Sequence, residues 1–345
     1  MSAPGGAPAE RIRVGVLFGA DDNRSQLDEA EFAVDVLGNS DVLQLLRMLD
    51  PNRFRISLLH ISPGYFGQAL RWNLGKLDLV WNIVSDPDQN PLTLAVAEKM
   101  TAGSATPVID PPGDIWRTRR HEIAERLQGL ADVRAPKALL IKDPTPQRLK
   151  VAADEAGLRF PAIIRRAGTH NGEVLGVFGA PDEAQGVFGG GGGACYVTEF
   201  VDVRRADGLY RKSRFFFIGD RIVLRQHIVH DDWNIHGRSS RGFMAARDDL
   251  LEESRSALLG GLDALPARTR AALHAIRERV GLDYFGLDAC VDPDGGLVVF
   301  EANATMNFHT VFSNPKTQHN RAALPPALRA IERLILTKTG RPAAA

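Results

Sequence analysis

Near the C-terminal end of the chain two carboxylates interrupt runs that are otherwise apolar, Leu287-Asp288-Ala289-Cys290-Val291 and Val298-Val299-Phe300-Glu301-Ala302-Asn303. Pro293-Asp294-Gly295-Gly296 lies between them, so the runs read as the two arms of a β-hairpin. Each carboxylate then sits close to a buried sheet, where an uncompensated charge is costly. A hard divalent cation such as Mg²⁺ removes that cost, because it takes oxygen ligands from carboxylates, amide carbonyls and phosphates. Asn303 shares a strand face with Glu301 and offers the amide oxygen. Asp288, Glu301 and Asn303 are therefore candidate Mg²⁺ ligands. Two polar residues at the open end of a hairpin would leave the same local pattern.

The rest of the chain limits what such a site can serve. Its 345 residues suit two or three domains. Forty-two basic residues balance forty-two acidic ones, so no global field argues for nucleic acid or an anionic membrane. Any anion site must be local. No apolar stretch approaches the ~18 residues of a membrane span. The opening Met1-Ser2-Ala3-Pro4-Gly5-Gly6-Ala7-Pro8 lacks the basic and apolar regions of a signal peptide and reads, over 1–10, as a disordered tail, with a cytoplasmic location as the default. Cys195 and Cys290 lie in apolar, strand-like runs and read as buried free thiols.

From residue 11 to 110 short apolar runs alternate with helical patterns. Arg13–Gly19, Phe54–Ile61, Leu77–Val84 and Pro107–Ile109 read as strands. Helices are expected over Ser40–Leu49, with Ser40 as N-cap, and over Leu92–Met100. This alternation predicts a small parallel sheet with helices on its faces. Pro111-Pro112-Gly113 marks a boundary. A lid-like unit over 111–200 follows, with an Arg-rich helix from Trp116 to Leu130 and strands over Lys137–Ile141, Phe160–Arg166, Val174–Phe178 and Ala194–Val201. The last unit, 201–338, holds hairpins at Arg214–Ile228 and Gly286–Glu301 and helices over Ala267–Val280 and Leu324–Thr337.

Four further patterns carry chemistry. Arg165-Arg166 ends a strand and enters Gly168-Thr169-His170-Asn171-Gly172-Glu173, a loop whose backbone N–H groups can meet phosphate oxygens, with guanidinium forks beside them. Glu199-Phe200-Val201-Asp202 ends an apolar strand and can present backbone groups to a flat heterocycle, with Asp202 near a sugar hydroxyl. Lys212 and Arg214 share one strand face, which suits a polyphosphate and also suits an exposed edge strand. The segment Arg225 to His236 is dense in histidine and acid, but His227, His230 and His236 lack the spacing of helical zinc sites. Arg225 is a candidate partner for a substrate carboxylate or acyl phosphate. The glycine run 189–193 reads as a flexible loop.

Taken in order, these features resemble the ATP-grasp superfamily, nearest its glutathione synthetase and ribosomal-protein glutamate ligase branch. Phe300-Glu301-Ala302-Asn303-Ala304-Thr305-Met306 is similar to that superfamily's metal-binding signature, and Gly281–Asp288 to the segment before it. The resemblance covers about 105–335. It implies an α/β ATP-grasp fold, α+β in the lid, behind an N-terminal parallel-sheet domain. It implies ATP and one or two Mg²⁺ as cofactors, the metal on Asp288, Glu301 and Asn303. Arg165 and Arg119 stand where the family has phosphate-binding lysines, Arg120 being the alternative to Arg119. Glu199, Phe200 and Val201 would form the adenine hinge, Asp202 would approach the ribose, and Gly168, Thr169, His170, Asn171 and Gly172 would form the loop closing over the phosphates. Lys212 would also reach the nucleotide.

The implied activity is an ADP-forming carboxylate–amine (or thiol) ligase that works through an acyl phosphate, with Arg225, Lys212 and Arg214 around the transfer. The alternatives are a small-molecule kinase acting on a hydroxyl and a non-catalytic nucleotide-binding module. The expected partners are small-molecule carboxylates with amines, amino acids or peptides; nucleic acid and membrane are not expected, and a homodimer is a family-level expectation. Trp233, His236, Arg238, Ser239 and Arg241 are candidates for substrate contact, or belong to a polar surface loop.

Overall fold

The computed structural model describes residues 10–22, 26–28, 33–35, 38–67, 72–169, 174–188, 193–310 and 315–342. The N-terminal tail up to residue 9, the loop residues His170, Asn171 and Gly172, most of the glycine run, and the side chains of Arg238, Ser239 and Arg241 lie outside the described residues.

The N-terminal unit is the predicted parallel sheet. Ile12–Gly19 pairs in parallel with Phe54–Ile61 on one side and Leu79–Asn82 on the other, and the latter pairs with Val108–Ile109. The expected helix over Ser40–Leu49 shrinks to Val42–Leu46, and Asp41, not Ser40, precedes it. The Asp41 carboxylate does not cap that helix, because it is taken by a distant part of the chain described below.

The lid sheet is antiparallel, in the order Gly176–Phe178, Ala162–Arg166, Ala194–Glu199, Ala138–Lys142. One face buries Ile141, Ile164, Cys195 and Val197 against the helix Pro146–Ala156. That helix was not anticipated, although its ends are well marked. Thr145 Oγ1 accepts from Arg148 N at 3.1 Å, and Gly157 ends it in the left-handed region at φ 61°. The cross-strand partners Leu140, Tyr196 and Arg165 share the other face, which looks into the cleft.

The C-terminal sheet has the order Arg221–His230, Tyr210–Ile218, Tyr284–Val291, Leu297–Asn303, with the short Val133–Arg134 at its edge. Alternation divides its phenylalanines. Phe215, Phe217 and Phe285 face a core closed by the helices Asp248–Gly260 and Ala267–Val280, with Ile115, Ile123 and Leu127 of the Arg-rich segment added. Phe216, Ile218 and Tyr284 face the N-terminal sheet and the helix Leu324–Lys338. Residues 112–134, expected within the lid, thus pack on the C-terminal sheet. The helix expected over Trp116–Leu130 is broken there into a 3-10 turn, Trp116–Thr118, and the helix Arg120–Arg126.

Two bulges break the alternation. Arg225 is the extra residue between the pairs Arg214–Gln226 and Phe215–Leu224, and Phe300 is extra between Asp288–Glu301 and Ala289–Val299. The second decides the site. Strict alternation would put Glu301 on the face opposite Val298; the bulge puts both on the face of Asp288. Close packing supports this corner: a Cβ on Gly286 would stand 2.5 Å from Met306 Sδ. Both cysteines are buried and free, and among the described residues no helix is long and apolar enough to cross a membrane.

The junction between the N-terminal and C-terminal units is held by Asp110, 2% exposed, whose Oδ1 accepts from Asp283 N at 2.8 Å and Tyr284 N at 3.1 Å. Asp110→Ala leaves two N–H groups without an acceptor and is expected to cost roughly 2–4 kcal/mol, whereas Asp110→Asn keeps an acceptor and costs clearly less. Urea midpoints of the two variants check this, and equal losses would refute the junction role.

Candidate functional site

The cleft between the lid sheet and the C-terminal sheet brings together six of the residues singled out in the sequence, Asp288, Glu301, Asn303, Lys212, Arg214 and Arg165. Asp288, 4% exposed, receives a two-pronged guanidinium: Arg214 Nε donates to Oδ1 at 2.7 Å and Nη2 to Oδ2 at 2.9 Å. Lys212 Nζ stands 3.1 Å from the same Oδ2 and donates to Ile235 O at 2.8 Å. Burial alone would raise the Asp288 carboxyl, but Arg214 and Lys212 outweigh it and hold it well below the usual carboxylate range.

Glu301 lies directly across from Asp288. Its Oε1 accepts from Asn303 Nδ2 at 2.6 Å and sits 2.8 Å from Arg120 Nη2. Arg120 Nη1 also donates to Phe300 O at 3.1 Å. Asn303 Oδ1 is buried and, among the described residues, has no hydrogen-bond partner. An orphaned amide oxygen beside a carboxylate, across from a second carboxylate, is an all-oxygen donor set of the kind a hard divalent cation takes. Arg165 reaches the same place from the lid. Desolvation pushes its pKa down to about 10, with Arg120 adding to the effect and Glu301 opposing it. Among the described residues no hydrogen bond or ion pair occupies its guanidinium.

Of the two neighbouring arginines, Arg120 is the one that meets Glu301. Arg119 points away, to Asp88 Oδ1 at 2.9 Å and Pro87 O at 3.2 Å in the N-terminal unit, with its guanidinium over Trp116. Tyr196 OH donates to the other oxygen of Asp88. Gln89 Nε2 donates to Gly168 O at 2.6 Å, so the N-terminal unit touches the start of the glycine loop. Gly168 has φ +71°, which suits glycine. Thr169 Oγ1 donates to Arg166 O at 2.8 Å.

Glu199–Asp202 links the lid sheet to the C-terminal sheet. The Glu199 carboxylate accepts from Arg159 N at 3.0 Å, and Phe200 N donates to Pro161 O at 2.8 Å. Phe200 meets Trp233 edge-on at 5.5 Å. Val201 follows at the same turn. Asp202 accepts from Arg204 N and the Arg204 guanidinium, whose hydrogen bonds lower its pKa.

Arg225, re-aimed by its bulge, is 6% exposed and donates to Phe308 O and His309 O. Asp41 takes the other side of that segment, accepting from Phe308 N and His309 N, each at 2.8 Å. Arg214 Nη1 donates to Asn307 O at 3.1 Å. The residues after the Glu301 strand are therefore fixed through their backbone by one carboxylate and two arginines. The Arg225 guanidinium is thus committed to protein carbonyls. His227 faces away from the cleft, bonded to Ser213 Oγ at 2.9 Å and Glu253 Oε1 at 3.0 Å. Among the described residues no three His, Cys, Asp or Glu side chains form a metal cage.

Asp41, Asp88 and Tyr196 were not singled out from the sequence. Asp41 stands at the start of the helix Val42–Leu46 and Asp88 in the polar run after the strand Leu79–Asn82, and their partners lie between 31 and 268 positions away. Tyr196 reads as an ordinary strand residue.

No protein-family model and no curated protein sequence matches the chain. Solved structures do match. The VanG D-Ala:D-Ser ligase of Enterococcus faecalis is similar at 14% identity and TM-score 0.53, over 94% of this chain and 100% of that one. The D-alanine–D-alanine ligase of Bacillus anthracis complexed with ATP is similar at 11% identity and TM-score 0.50, over 94% and 99%. The ATP-grasp ligase PsnB, complexed with a phosphomimetic variant of its minimal precursor, Mg and ADP, is similar at 12% identity and TM-score 0.50, over 93% and 98%. At these identities the likeness is one of fold.

Asp288→Asn strands two cations and is expected to lower stability at pH 7 by roughly 3–5 kcal/mol. The folded-state pKa of Asp288 lies below its unfolded value, so its contribution is full above about pH 4 and is lost as pH falls further. The gap in urea midpoint between wild type and variant should therefore be smaller at pH 3 than at pH 7 and go on narrowing as pH falls further. A gap of equal size at pH 3 and pH 7 would contradict the ion-pair account.

Proposed function

We propose that this chain, which has the ATP-grasp fold, is an ATP- and Mg²⁺-dependent, ADP-forming ligase that joins a small-molecule carboxylate to an amine (or thiol) through an acyl phosphate. The observation that carries the reading is the cleft itself: Asp288, Glu301 and the orphaned Asn303 Oδ1 on one sheet face Arg165 on the other, with Arg120, Lys212 and Arg214 around them. Among the similar folds, one structure holds ATP and another Mg and ADP.

In this reading Asp288, Glu301 and Asn303 hold Mg²⁺, which when bound neutralises phosphate oxygens. Arg165 and Arg120 hold the polyphosphate by charge-assisted forks. The backbone of Glu199–Val201 takes the adenine edge, and Asp202 lies toward the ribose. Carboxylate and phosphate repel each other, so the attack of a substrate carboxylate on the γ-phosphate needs positive charge on both partners. Lys212 and Arg214 supply it at the inner end of the cleft. Arg225 and Asp41 hold the 307–309 backbone against that end. The glycine loop, from Gly168 onward, closes over the phosphates and keeps water from the acyl phosphate. An amine then displaces phosphate, and no protein nucleophile is needed.

Purified protein given ATP, Mg²⁺ and pools of carboxylates and amines should release ADP only when both substrates are present. Labelled carboxylate oxygen should appear in the released phosphate; ADP release without that transfer would point to a hydroxyl kinase instead. Arg165→Met should weaken nucleotide binding about ten- to a hundredfold, and Arg165→Lys less. Unchanged nucleotide affinity in Arg165→Met would remove the phosphate role.

A further inference from the structure

The charges in the cleft are arranged as though the metal's place were already filled. Four cations, Lys212, Arg214, Arg120 and Arg165, surround two carboxylates, Asp288 and Glu301. At the inner end Asp41 and Arg225 offset each other. The neighbourhood thus carries an excess of two positive charges. Both oxygens of Asp288 are engaged by Arg214, and Lys212 adds a contact to one of them. Glu301 Oε1 is engaged by Arg120 and by the Asn303 amide.

A divalent cation alone approaching this cluster meets repulsion from four cations and carboxylates that are already compensated. A polyphosphate meets the reverse. Arg165 is half-buried and, among the described residues, pairs with no carboxylate, and desolvating an unpaired guanidinium is costly. A phosphate oxygen relieves that cost and also the repulsion between Arg165 and Arg120. Arg120 is the residue placed to change partners. It opens the helix Arg120–Arg126, so its backbone is fixed by the packing of Ile123 while its long side chain turns.

Resting on the nucleotide reading above, we propose that Arg120 stands in for the divalent ion on Glu301: nucleotide binds this cleft without metal, metal does not bind without nucleotide, and nucleotide draws Arg120 from Glu301 to the phosphates. Asn303 Oδ1 and the released Glu301 oxygen then become available together. Local charge, and not the supply of free metal, sets the order of assembly.

The test uses the full chain and equilibrium binding, with no turnover. A non-hydrolysable ATP analogue is titrated calorimetrically in EDTA and in Mg²⁺, and Mn²⁺ binding is followed by the electron paramagnetic resonance signal of the free ion, with and without the analogue. The analogue should bind in EDTA within about a hundredfold of its affinity in Mg²⁺. Mn²⁺ should bind at least a hundredfold more weakly alone than with the analogue. Arg120→Gln should bind Mn²⁺ alone at least tenfold more tightly than wild type, and adding Glu301→Gln should abolish that gain.

Mn²⁺ binding to nucleotide-free wild type within tenfold of its affinity in the ternary complex overturns the proposal. So does a folded Arg120→Gln, with unchanged circular dichroism, that gains no Mn²⁺ affinity. If Arg120→Gln does not fold, the wild-type titrations decide. An analogue that binds in neither EDTA nor Mg²⁺ overturns the nucleotide reading together with the proposal, whereas one that binds only in Mg²⁺ overturns the proposal alone.

Discussion

The buried contact between Asp288 and the pair Arg214 and Lys212 is the constraint on which the rest of the cleft depends. A carboxylate 4% exposed in the middle of a sheet is tolerable only with its charge answered. The answer comes from the adjacent strand, whose alternation brings Lys212 and Arg214 to one face while Phe215 and Phe217 fill the core on the other. Apolar packing behind the sheet thus fixes the positions of the charges in front of it. The bulge at Phe300 completes the arrangement by turning Glu301 to the same face.

From that centre two sets of contacts reach the N-terminal unit. Asp41 and Arg225 grip the N–H and C=O groups of residues 308 and 309, so the strand that carries Glu301 and Asn303 continues into a segment held by another domain. Farther out, Asp88 joins Arg119 of the helical connection to Tyr196 of the lid, and Gln89 touches Gly168. The N-terminal unit therefore contacts both the 308–309 segment and the start of the glycine loop. Its strand ends are where open α/β sheets generally meet ligands.

Much of this was legible in the sequence. Short apolar runs located the parallel strands, and Ala267–Val280 matched its helical pattern at both ends. Asp288, Glu301 and Asn303 stood out because charge inside an apolar run demands an explanation. What was not legible arose from non-local geometry. Strict alternation cannot reveal a bulge, so the common face of Val298, Glu301 and Asn303 follows only from the pairing register. Two adjacent arginines cannot be told apart by spacing, and the break between Trp116 and Arg120 sends Arg119 to Asp88 and Arg120 to Glu301. Asp41 read as part of a helix start, yet its carboxylate serves residues far along the chain. The helices Gly237–Ala245 and Asp248–Gly260 are not legible because polar residues dominate the first and the polar Ser254 interrupts the buried stripe of the second.

We propose that one cleft, between the lid sheet and the C-terminal sheet, binds a metal nucleotide. A crystal structure of the chain with ADP and Mg²⁺ tests it most directly. Phosphates are expected between Arg165 and Glu301, the ion on oxygens of Asp288, Glu301 and Asn303, and the adenine against the backbone of 199–201. Nucleotide density on another surface, or an ion that ignores all three oxygen donors, would contradict it.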